Sequence, residues 1–282
     1  MATQQIVPIF SGGGTRLLTH IGILKALQEL EVNFNSLVGI SGGSIVAALH
    51  SYGLSNKALY DLAINTDFRQ FRDFSILRLL RHGGLSSGIK FEQWMDQKLD
   101  GMTFSEAPIP LHILATDVNG GGPVIFSKET SPNMKVSHAV RCSMSIPLLF
   151  SYTVYEQHLL VDGAILSEDA LFRDWQQDGT PNICFRLRSE AREQPFNPKR
   201  RFMLPQYIGM LIRTFMTALS REYVHAEHWH NTLVINTGAA SSVDFDMSYE
   251  DKLSLYKQGY ETAMNFLPVK LGKLNTSRPG AG

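Results

Sequence analysis

Cysteine, net charge and long apolar runs are scarce or absent in this 282-residue sequence. The two cysteines, Cys142 and Cys184, form no CxxC motif and are too few for a disulfide framework, which favours a reducing compartment. Lysine plus arginine and aspartate plus glutamate number 26 each, so no overall charge attracts nucleic acid. No apolar run approaches the roughly 20 residues that cross a bilayer, and residues 1–10 lack a signal-peptide pattern. We therefore expect a cytoplasmic protein without a nucleic-acid partner, while export by a signal-independent route stays open.

The sequence does contain an alternation of β-prone and helix-forming runs, in a chain that is 44% hydrophobic. A strand, a helix and a strand are predicted at 5–10, 17–30 and 36–40, and this βαβ unit indicates a parallel sheet with a right-handed crossover. Further strands are predicted at 111–117, 124–127, 159–161, 183–187 and 233–235, and helices at 55–80, 90–99, 136–144, 170–176 and 249–266. The pattern is typical of an α/β protein, expected as a single domain over 1–282 with a polar surface loop at 190–201.

Residues 34–50, FNSLVGISGGSIVAALH, place a serine between a β-prone run and an apolar run. In this G-x-S-x-G pattern, the small residues around Ser41 allow a sharp strand-to-helix turn with the serine at its apex. The hydroxyl then lies at a helix N-terminus, whose free N–H groups favour developing negative charge. Ser41 is therefore a candidate nucleophile, and the alternative is a turn without chemistry.

A second glycine stretch, Gly12, Gly13 and Gly14, separates the first predicted strand from the first helix. Several backbone N–H groups there can point into one concavity and bind an anion. A dinucleotide fingerprint would need glycine where the chain has Leu17, and no P-loop sequence is present. An oxyanion hole remains. Because the carboxyl ends of parallel strands share one edge, we expect this loop and Ser41 side by side.

Two kinds of base could serve the serine. The order used by α/β-hydrolases would supply a downstream histidine, and His225, His228 and His230 lie in or near a predicted helix. The segment HLLVDGAIL offers instead a strand that ends at Asp162, whose carboxylate would project from the strand's end. The same Asp-Gly pair is also typical of a hairpin turn, so the residues alone leave the alternatives open.

Together, the glycine loop at 12–16, the serine turn at 39–43 and the DGA segment at 162–164 resemble the patatin-like phospholipase family. The resemblance covers about residues 5–190, and segments at 20–24, 115–121 and 139–150 agree with it. Departures occur at Ser11, at Leu17 and in ILSEDALF after the aspartate, where the family commonly has an acidic residue, a small residue and an Asn-x-Pro element. These departures affect the substrate pocket and leave the main motifs intact.

The resemblance implies a three-layer α/β/α fold with a mainly parallel central sheet and a C-terminal part, 191–273, that packs on the sheet or on lipid before a disordered tail, 274–282. It implies a Ser41–Asp162 dyad that cleaves fatty-acyl esters of phospholipids or lysophospholipids without a metal or cofactor. The expected oxyanion hole comprises Gly12, Gly13, Gly14 and Gly42. Arg16 is expected either to bind a lipid phosphate or to anchor the loop.

A phospholipid membrane surface is the expected partner. Apolar residues from Leu204 to Tyr223 recur at helical spacing, and Lys199, Arg200 and Arg201 precede them, which favours either membrane docking or core packing. A histidine-assisted esterase of small soluble esters and a non-catalytic lipid-binding module are the alternative functions. The sequence leaves an activator and the oligomeric state open.

Overall fold

The computed structural model describes residues 4–190, 204–221 and 226–276. The strands are β1 (Val7–Ser11), β2 (Leu37–Ile40), β3 (Gly84–Ser86), β4 (Leu111–Asp117), β5 (Gly122–Phe126), β6 (Leu148–Phe150), β7 (Thr153–Tyr155), β8 (His158–Val161), β9 (Asn182–Arg188) and β10 (Thr232–Asn236). The helices are α1 (Leu17–Glu29), α2 (Gly42–Ser51), α3 (Asn56–Asn65), α4 (Ile76–His82), α5 (Ile89–Lys98), α6 (Val136–Ser143), α7 (Glu168–Leu171), α8 (Leu204–Arg221) and α9 (Tyr249–Thr276).

The central sheet has the strand order β10-β9-β1-β2-β4-β8-β7, and β5 also pairs with β4. Strands β10, β9, β1, β2 and β4 run parallel, whereas β5 and β8 are antiparallel to β4, and β7 is antiparallel to β8. Strands β3 and β6 form a separate parallel pair. The predicted fold class is therefore confirmed: a mainly parallel sheet lies between layers of helix.

Side chains of β1 alternate between the two faces of the sheet, as expected for a buried strand. Phe10 joins the larger core cluster, to which α1, α2 and α9 contribute. Val7 and Ile9 join a smaller cluster on the opposite face, covered by Leu171 and Trp175. Both faces of β1 are thus buried, which explains the continuous apolar run in its sequence.

The predicted helix at 55–80 is wrong, because the chain forms α3, a 3-10 turn at Phe68–Phe71 and then α4. Thr66 is extended after α3, and the Asp67 side chain accepts from Arg69 N at the start of the 3-10 turn. The Ser75 side chain accepts from Arg78 N at the start of α4. These polar side chains bind backbone groups that a continuous helix would use itself.

Other differences concern shorter or longer elements. The helix predicted at 170–176 ends at Leu171, because Trp175 Nε1 donates to the Leu171 carbonyl and Asn182 Nδ2 to the Arg173 carbonyl. Helix α9 continues to Thr276, beyond the predicted end at 266 and into the predicted tail. The surface loop predicted at 190–201 lies, after its first residue, outside the described residues, as do the basic residues 199–201 and residues 277–282 of the tail.

Helix α8 fits neither alternative for its apolar residues completely. Ile208, Ile212 and Met216 are buried, whereas Leu204 and Leu211 are exposed. The helix therefore packs on the core along one stripe and presents other apolar side chains outward. Within the described ranges, no helix combines the length and the hydrophobicity needed to span a bilayer.

Candidate active site

Ser41 lies at the turn between β2 and α2 in an unusual backbone conformation, with φ 53° and ψ −131°. Its N–H donates to Ser143 Oγ at 2.8 Å, and the Ser143 hydroxyl donates to the Leu114 carbonyl at 2.6 Å. The turn also requires glycine, since a Cβ at Gly43 would lie 2.1 Å from the Phe10 carbonyl oxygen. The surrounding contacts therefore hold a strained residue that presents its hydroxyl at the sheet edge.

The hydroxyl of Ser41 donates to Asp162 Oδ2 at 2.7 Å, and both residues are fully buried. The strand pairing explains why Ser41 and Asp162 lie together. Ile40 pairs with Leu114 on β4, and β8 runs antiparallel along β4, so the residues after β8 reach the same point. A Cβ at Gly163 would lie 2.0 Å from the Leu114 carbonyl oxygen, so only glycine permits this close approach.

Burial is the main influence on the Asp162 carboxyl. It raises the pKa from 3.8 to about 6, while hydrogen bonds from Ala164 N–H, at 2.9 Å, and from Ser41 act in the opposite direction. Desolvation disfavours the charged form of an acid, which accounts for the sign of the change. At neutral pH the carboxylate is still ionised and can accept a proton more readily than an ordinary aspartate.

The glycine loop lies directly against the serine turn. Gly12, Gly13 and Gly14 have φ of 74°, 114° and 54°, a region that favours glycine. A Cβ at Gly42 would lie 2.3 Å from Gly14 N, so the two segments touch through backbone. The predicted neighbourhood of the loop and Ser41 is therefore observed.

The four glycines of the predicted oxyanion hole differ in their N–H groups. Gly12 N–H donates to the Ile40 carbonyl at 3.1 Å and is thereby occupied. Across the described part of the chain, no hydrogen-bond acceptor contacts the N–H of Gly13, Gly14 or Gly42. Three backbone N–H groups at the contact between the loop and the serine turn thus have no described acceptor, whereas Gly12 N–H ties the loop to β2.

Two buried basic residues, His20 and Arg16, hold the glycine loop in place through hydrogen bonds to its carbonyl groups. His20 Nε2 lies 3.1 Å from the Gly12 carbonyl oxygen, and burial lowers its pKa to about 4, so the ring is neutral and Nε2–H donates. Arg16 Nε donates to the Gly13 carbonyl at 3.1 Å, and Nη1 donates to Thr237 Oγ1 at 2.7 Å. Arg16 is only 2% exposed, which favours loop anchoring over the binding of a lipid phosphate.

An apolar cavity begins beside the serine, at Met144. Met144 Sδ lies 3.8 Å from Ser41 Oγ and lines this cavity together with Gly14. The remaining lining is almost entirely apolar: Leu17, Ile45, Phe68, Phe71, Phe91, Trp94, Ile146, Leu149, Phe150 and Phe245, with Thr15 and Ser242. Such a lining suits a hydrocarbon chain and offers few hydrogen bonds to a polar ligand.

The histidine alternative gains no support from the described contacts. His228 stacks on Phe172 with ring centroids 3.8 Å apart, and His225 lies outside the described residues. His230 is exposed. The contacts described for Ser41 Oγ are those with Asp162 and Met144.

Sequence reasoning missed the supporting roles of Ser143 and His20. Ser143 lies inside the segment at 139–150 that agrees with the family resemblance, and His20 interrupts an otherwise apolar helix face. A buried polar residue in an apolar run is a usable signal, because such residues generally need a hydrogen-bond partner. The identity of that partner, however, depends on tertiary contacts.

The fold and the site define an α/β protein with a buried serine at a strand-to-helix turn and a glycine loop beside it. A family profile described as patatin-like phospholipase matches residues 9–171, and the chain belongs to this family. Family membership places it among the lipid ester hydrolases.

Individual relatives are consistent with this family and fold. Protein YqhO of Bacillus subtilis is 26% identical, over 92% of this chain and 97% of YqhO. Triacylglycerol lipase 4 of Saccharomyces cerevisiae is 29% identical over 53% of this chain, and the match spans only 18% of that lipase. The crystal structure of VipD from Legionella pneumophila superimposes with a TM-score of 0.57 at 15% identity, over 94% of this chain and 67% of VipD, and shows the same fold.

Proposed function

We propose that the chain is a serine acyl hydrolase that cleaves fatty-acyl ester bonds of phospholipids or lysophospholipids. The carrying observation is the 2.7 Å hydrogen bond between Ser41 Oγ and Asp162 Oδ2, formed in a fully buried position beside an apolar cavity. The lipase relative supports the reaction class, since its name describes hydrolysis of a triacylglycerol ester. The phospholipid substrate itself is part of the proposal.

The mechanism begins with proton transfer inside the pair. As Ser41 Oγ attacks the ester carbonyl carbon, its proton passes to Asp162 Oδ2 and a tetrahedral intermediate forms. When the intermediate collapses, the ester C–O bond breaks, and Asp162 returns the proton to the departing alcohol. The products of this half-reaction are an acyl-Ser41 ester and a free alcohol, which is the deacylated lipid.

A water molecule completes the cycle by the same route. Asp162 accepts a proton from the water as its oxygen attacks the acyl-serine, and it then returns that proton to Ser41 Oγ. The fatty acid leaves, and both side chains regain their starting states. A buried carboxylate with a raised pKa suits both directions of transfer, because it is a stronger base than an ordinary aspartate and is still ionised near neutral pH.

The negative charge of each intermediate falls on the former carbonyl oxygen. We assign the N–H groups of Gly13, Gly14 and Gly42 as its donors, and Gly12 as the residue that shapes the loop, because its own N–H binds Ile40. Loss of one such donor typically raises the barrier by about 3 kcal/mol.

The cavity supports the proposed acyl-lipid substrate. Its lining is almost entirely apolar and includes Phe71, Phe91 and Trp94. An acyl chain fits this surface, and the buried Arg16 leaves a charged headgroup without a partner inside it. We therefore place the acyl chain in the cavity and the headgroup towards solvent.

The test compares four proteins on mixed phospholipid vesicles, with released fatty acid identified by mass spectrometry. Wild type should release fatty acid, whereas Ser41→Ala and Asp162→Asn should not. Ser36→Ala is the matched control, because Ser36 is a buried serine at the other end of β2 and its hydroxyl has no described partner. The control should keep wild-type activity.

A fluorophosphonate reagent supplies a second readout. It should label wild type and Ser36→Ala, and it should leave Ser41→Ala unlabelled. Full turnover by Asp162→Asn would show that another base operates, which would contradict the dyad. Absence of both labelling and hydrolysis in the folded wild type would instead support a non-catalytic lipid-binding module.

A further inference from the structure

Helix α4 is an apolar helix that buries none of its residues. Its sequence is ILRLLRH, and Ile76, Leu77 and Leu80 are 43%, 56% and 77% exposed. A helix of this length is not stable in water by its own hydrogen bonds, and helices in globular proteins normally bury their apolar stripe. The apolar side chains on the outward side of α4 are therefore exposed, although the apolar side chains of a helix are normally buried against another element.

The exposed apolar surface continues beyond α4. Phe74, just before it, is 49% exposed, and Leu204 and Tyr207 at the start of α8 are 52% and 55% exposed. A groove lies between the two helices and is lined by Phe74, Ile76, Leu85, Ile208, Ile212 and Phe245, among others. We name α4, the first two turns of α8 and this groove the α4–α8 face.

The groove adjoins the cavity at the serine. Leu149 and Phe245 line both of them. The cavity in turn reaches Met144, whose Sδ is 3.8 Å from Ser41 Oγ. A hydrocarbon chain passing these two shared residues would stay on apolar surface from the outside of the molecule to the serine.

The charged residues of α4 indicate what kind of surface binds to the α4–α8 face. The helix carries Arg78, Arg81 and His82 and has no acidic residue. The nearby acidic side chains are engaged: Asp73 accepts from Ser86 and Ser87 and lies 4.0 Å from Arg78, and Asp246 pairs with Arg72. An apolar helix with basic neighbours complements a surface that combines hydrocarbon with negative charge.

We propose that the α4–α8 face docks on an anionic phospholipid bilayer, with Leu77 and Leu80 inserted among the acyl chains and the groove as the route of an acyl chain to Ser41. The inference rests on the proposed function, because the route ends at the catalytic serine. The docking itself needs no catalysis and can be measured separately.

Binding is measured in the Ser41→Ala protein, so that hydrolysis cannot alter the membrane. Vesicles of phosphatidylcholine and phosphatidylglycerol are sedimented with this protein and with its Leu77→Ser/Leu80→Ser form. The control is Phe266→Ser/Val269→Ser, which changes two exposed apolar side chains on α9, 57% and 58% exposed. Removal of two inserted leucines should weaken partitioning by about tenfold or more, and the control should bind as the parent does.

Insertion is tested by fluorescence, because the native cysteines, Cys142 and Cys184, are both buried and a new surface cysteine can be labelled selectively. A bimane group on Leu80→Cys should be quenched by brominated acyl chains in these vesicles, whereas bimane on Val269→Cys should not. Vesicles of phosphatidylcholine alone should bind more weakly, since they lack the negative charge.

Activity assays separate the two proposals. In the catalytically intact chain, Leu77→Ser/Leu80→Ser should lose hydrolysis of vesicle lipid and keep hydrolysis of a monomeric short-chain ester. Vesicle binding that depends on Leu77 and Leu80 in a chain without hydrolysis would retain the docking and refute the proposed function. Three results would overturn the docking. They are equal vesicle binding by Leu77→Ser/Leu80→Ser and its parent, no quenching of bimane at residue 80, and a dimer of the parent that Leu77→Ser/Leu80→Ser abolishes.

Discussion

At the residue scale, the burial of Asp162 links catalysis to pH. The base works only when ionised, and burial raises the pKa of this carboxyl to about 6. We therefore expect kcat/KM for a monomeric ester to be level above about pH 7 and to fall about tenfold per pH unit well below pH 6. The measurement is a pH–rate profile on a soluble short-chain ester, at pH values where circular dichroism shows the chain to be folded.

The same profile discriminates against a histidine base. The triple variant His225→Ala/His228→Ala/His230→Ala should show the same inflection as wild type, because Asp162 is unchanged. A profile that stays level down to about pH 4 would contradict the raised pKa of Asp162. An inflection that disappears in the triple variant would assign the base to a histidine.

The raised pKa of Asp162 also predicts a cost in stability. The folded pKa of about 6 exceeds the ordinary 3.8, so the folded state binds the proton more tightly, and stability is lost as the pH rises through this interval. The full loss above the folded pKa is about 3 kcal/mol. Asp162→Asn removes this titration. The free energy of unfolding of the variant, relative to wild type, should therefore increase by about 2 kcal/mol between about pH 4 and pH 7, because part of the loss already occurs below pH 4.

Urea denaturation at both pH values measures this difference, and all other titrating groups cancel in it. A stability difference that does not change with pH would mean that Asp162 titrates normally in the folded chain. The experiment also establishes that Asp162→Asn folds, which the hydrolysis test requires.

At the element scale, two glycines set the contact between α1 and α9. A Cβ at Gly22 would lie 2.2 Å from the Tyr256 carbonyl oxygen, and a Cβ at Gly259 would lie 2.0 Å from the Thr19 carbonyl oxygen. The helices therefore touch backbone to backbone, next to His20 and the glycine loop that it supports. Gly259→Ala must push them apart and should lower the free energy of unfolding by about 1–3 kcal/mol.

Gly272→Ala is the control on the same helix, because a Cβ there would meet nothing within 4 Å. It should leave stability unchanged or raise it by up to about 1 kcal/mol, since alanine favours the helix. Urea denaturation of both variants is the measurement. Equal stability of Gly259→Ala and wild type would show that the helices can separate without loss.

The elements differ in how far their sequence predicts them. Strand β4 was predicted with its exact bounds, because a buried apolar run between turn residues has few alternatives. The helix over 55–80 failed where Thr66 and Asp67 interrupt it, since side-chain hydrogen bonds to the backbone leave hydrophobic spacing unchanged. Strands of three residues, such as β3, β6 and β7, are too short for a recognisable pattern.

The residues of the candidate site likewise differ in how far the sequence predicts them. The serine, the glycine loop and the aspartate follow from motifs and their resemblance, because each motif has a local conformation. The anchoring by Arg16 and His20 and the bond from Ser41 N to Ser143 depend on contacts between distant segments. Such contacts carry no local signature, so the sequence could name these residues only as buried polar side chains.

At the scale of the whole molecule, the C-terminal third completes the sheet that carries the site. The family profile ends at residue 171, yet β9 pairs with the full length of β1, and β10 lies beyond β9. Helix α9 packs on α1, and Lys252 Nζ donates to the carbonyls of Ala63, Ile64 and Thr66 at the end of α3. Elements within the matched region thus depend on residues that lie beyond it.

We therefore propose that the chain folds as one domain, and a truncated chain tests this. A chain ending at residue 190 keeps β9 but loses β10 and α9, which uncovers the apolar side of α1 and leaves the α3 carbonyls without Lys252. It should show no cooperative urea transition and should be cleaved rapidly in limited proteolysis. A chain ending at residue 276 is the control and should unfold as wild type does. Cooperative unfolding of the shorter chain, together with fluorophosphonate labelling of Ser41, would mean that residues 1–190 are a complete hydrolase domain and that the C-terminal part is a separate unit.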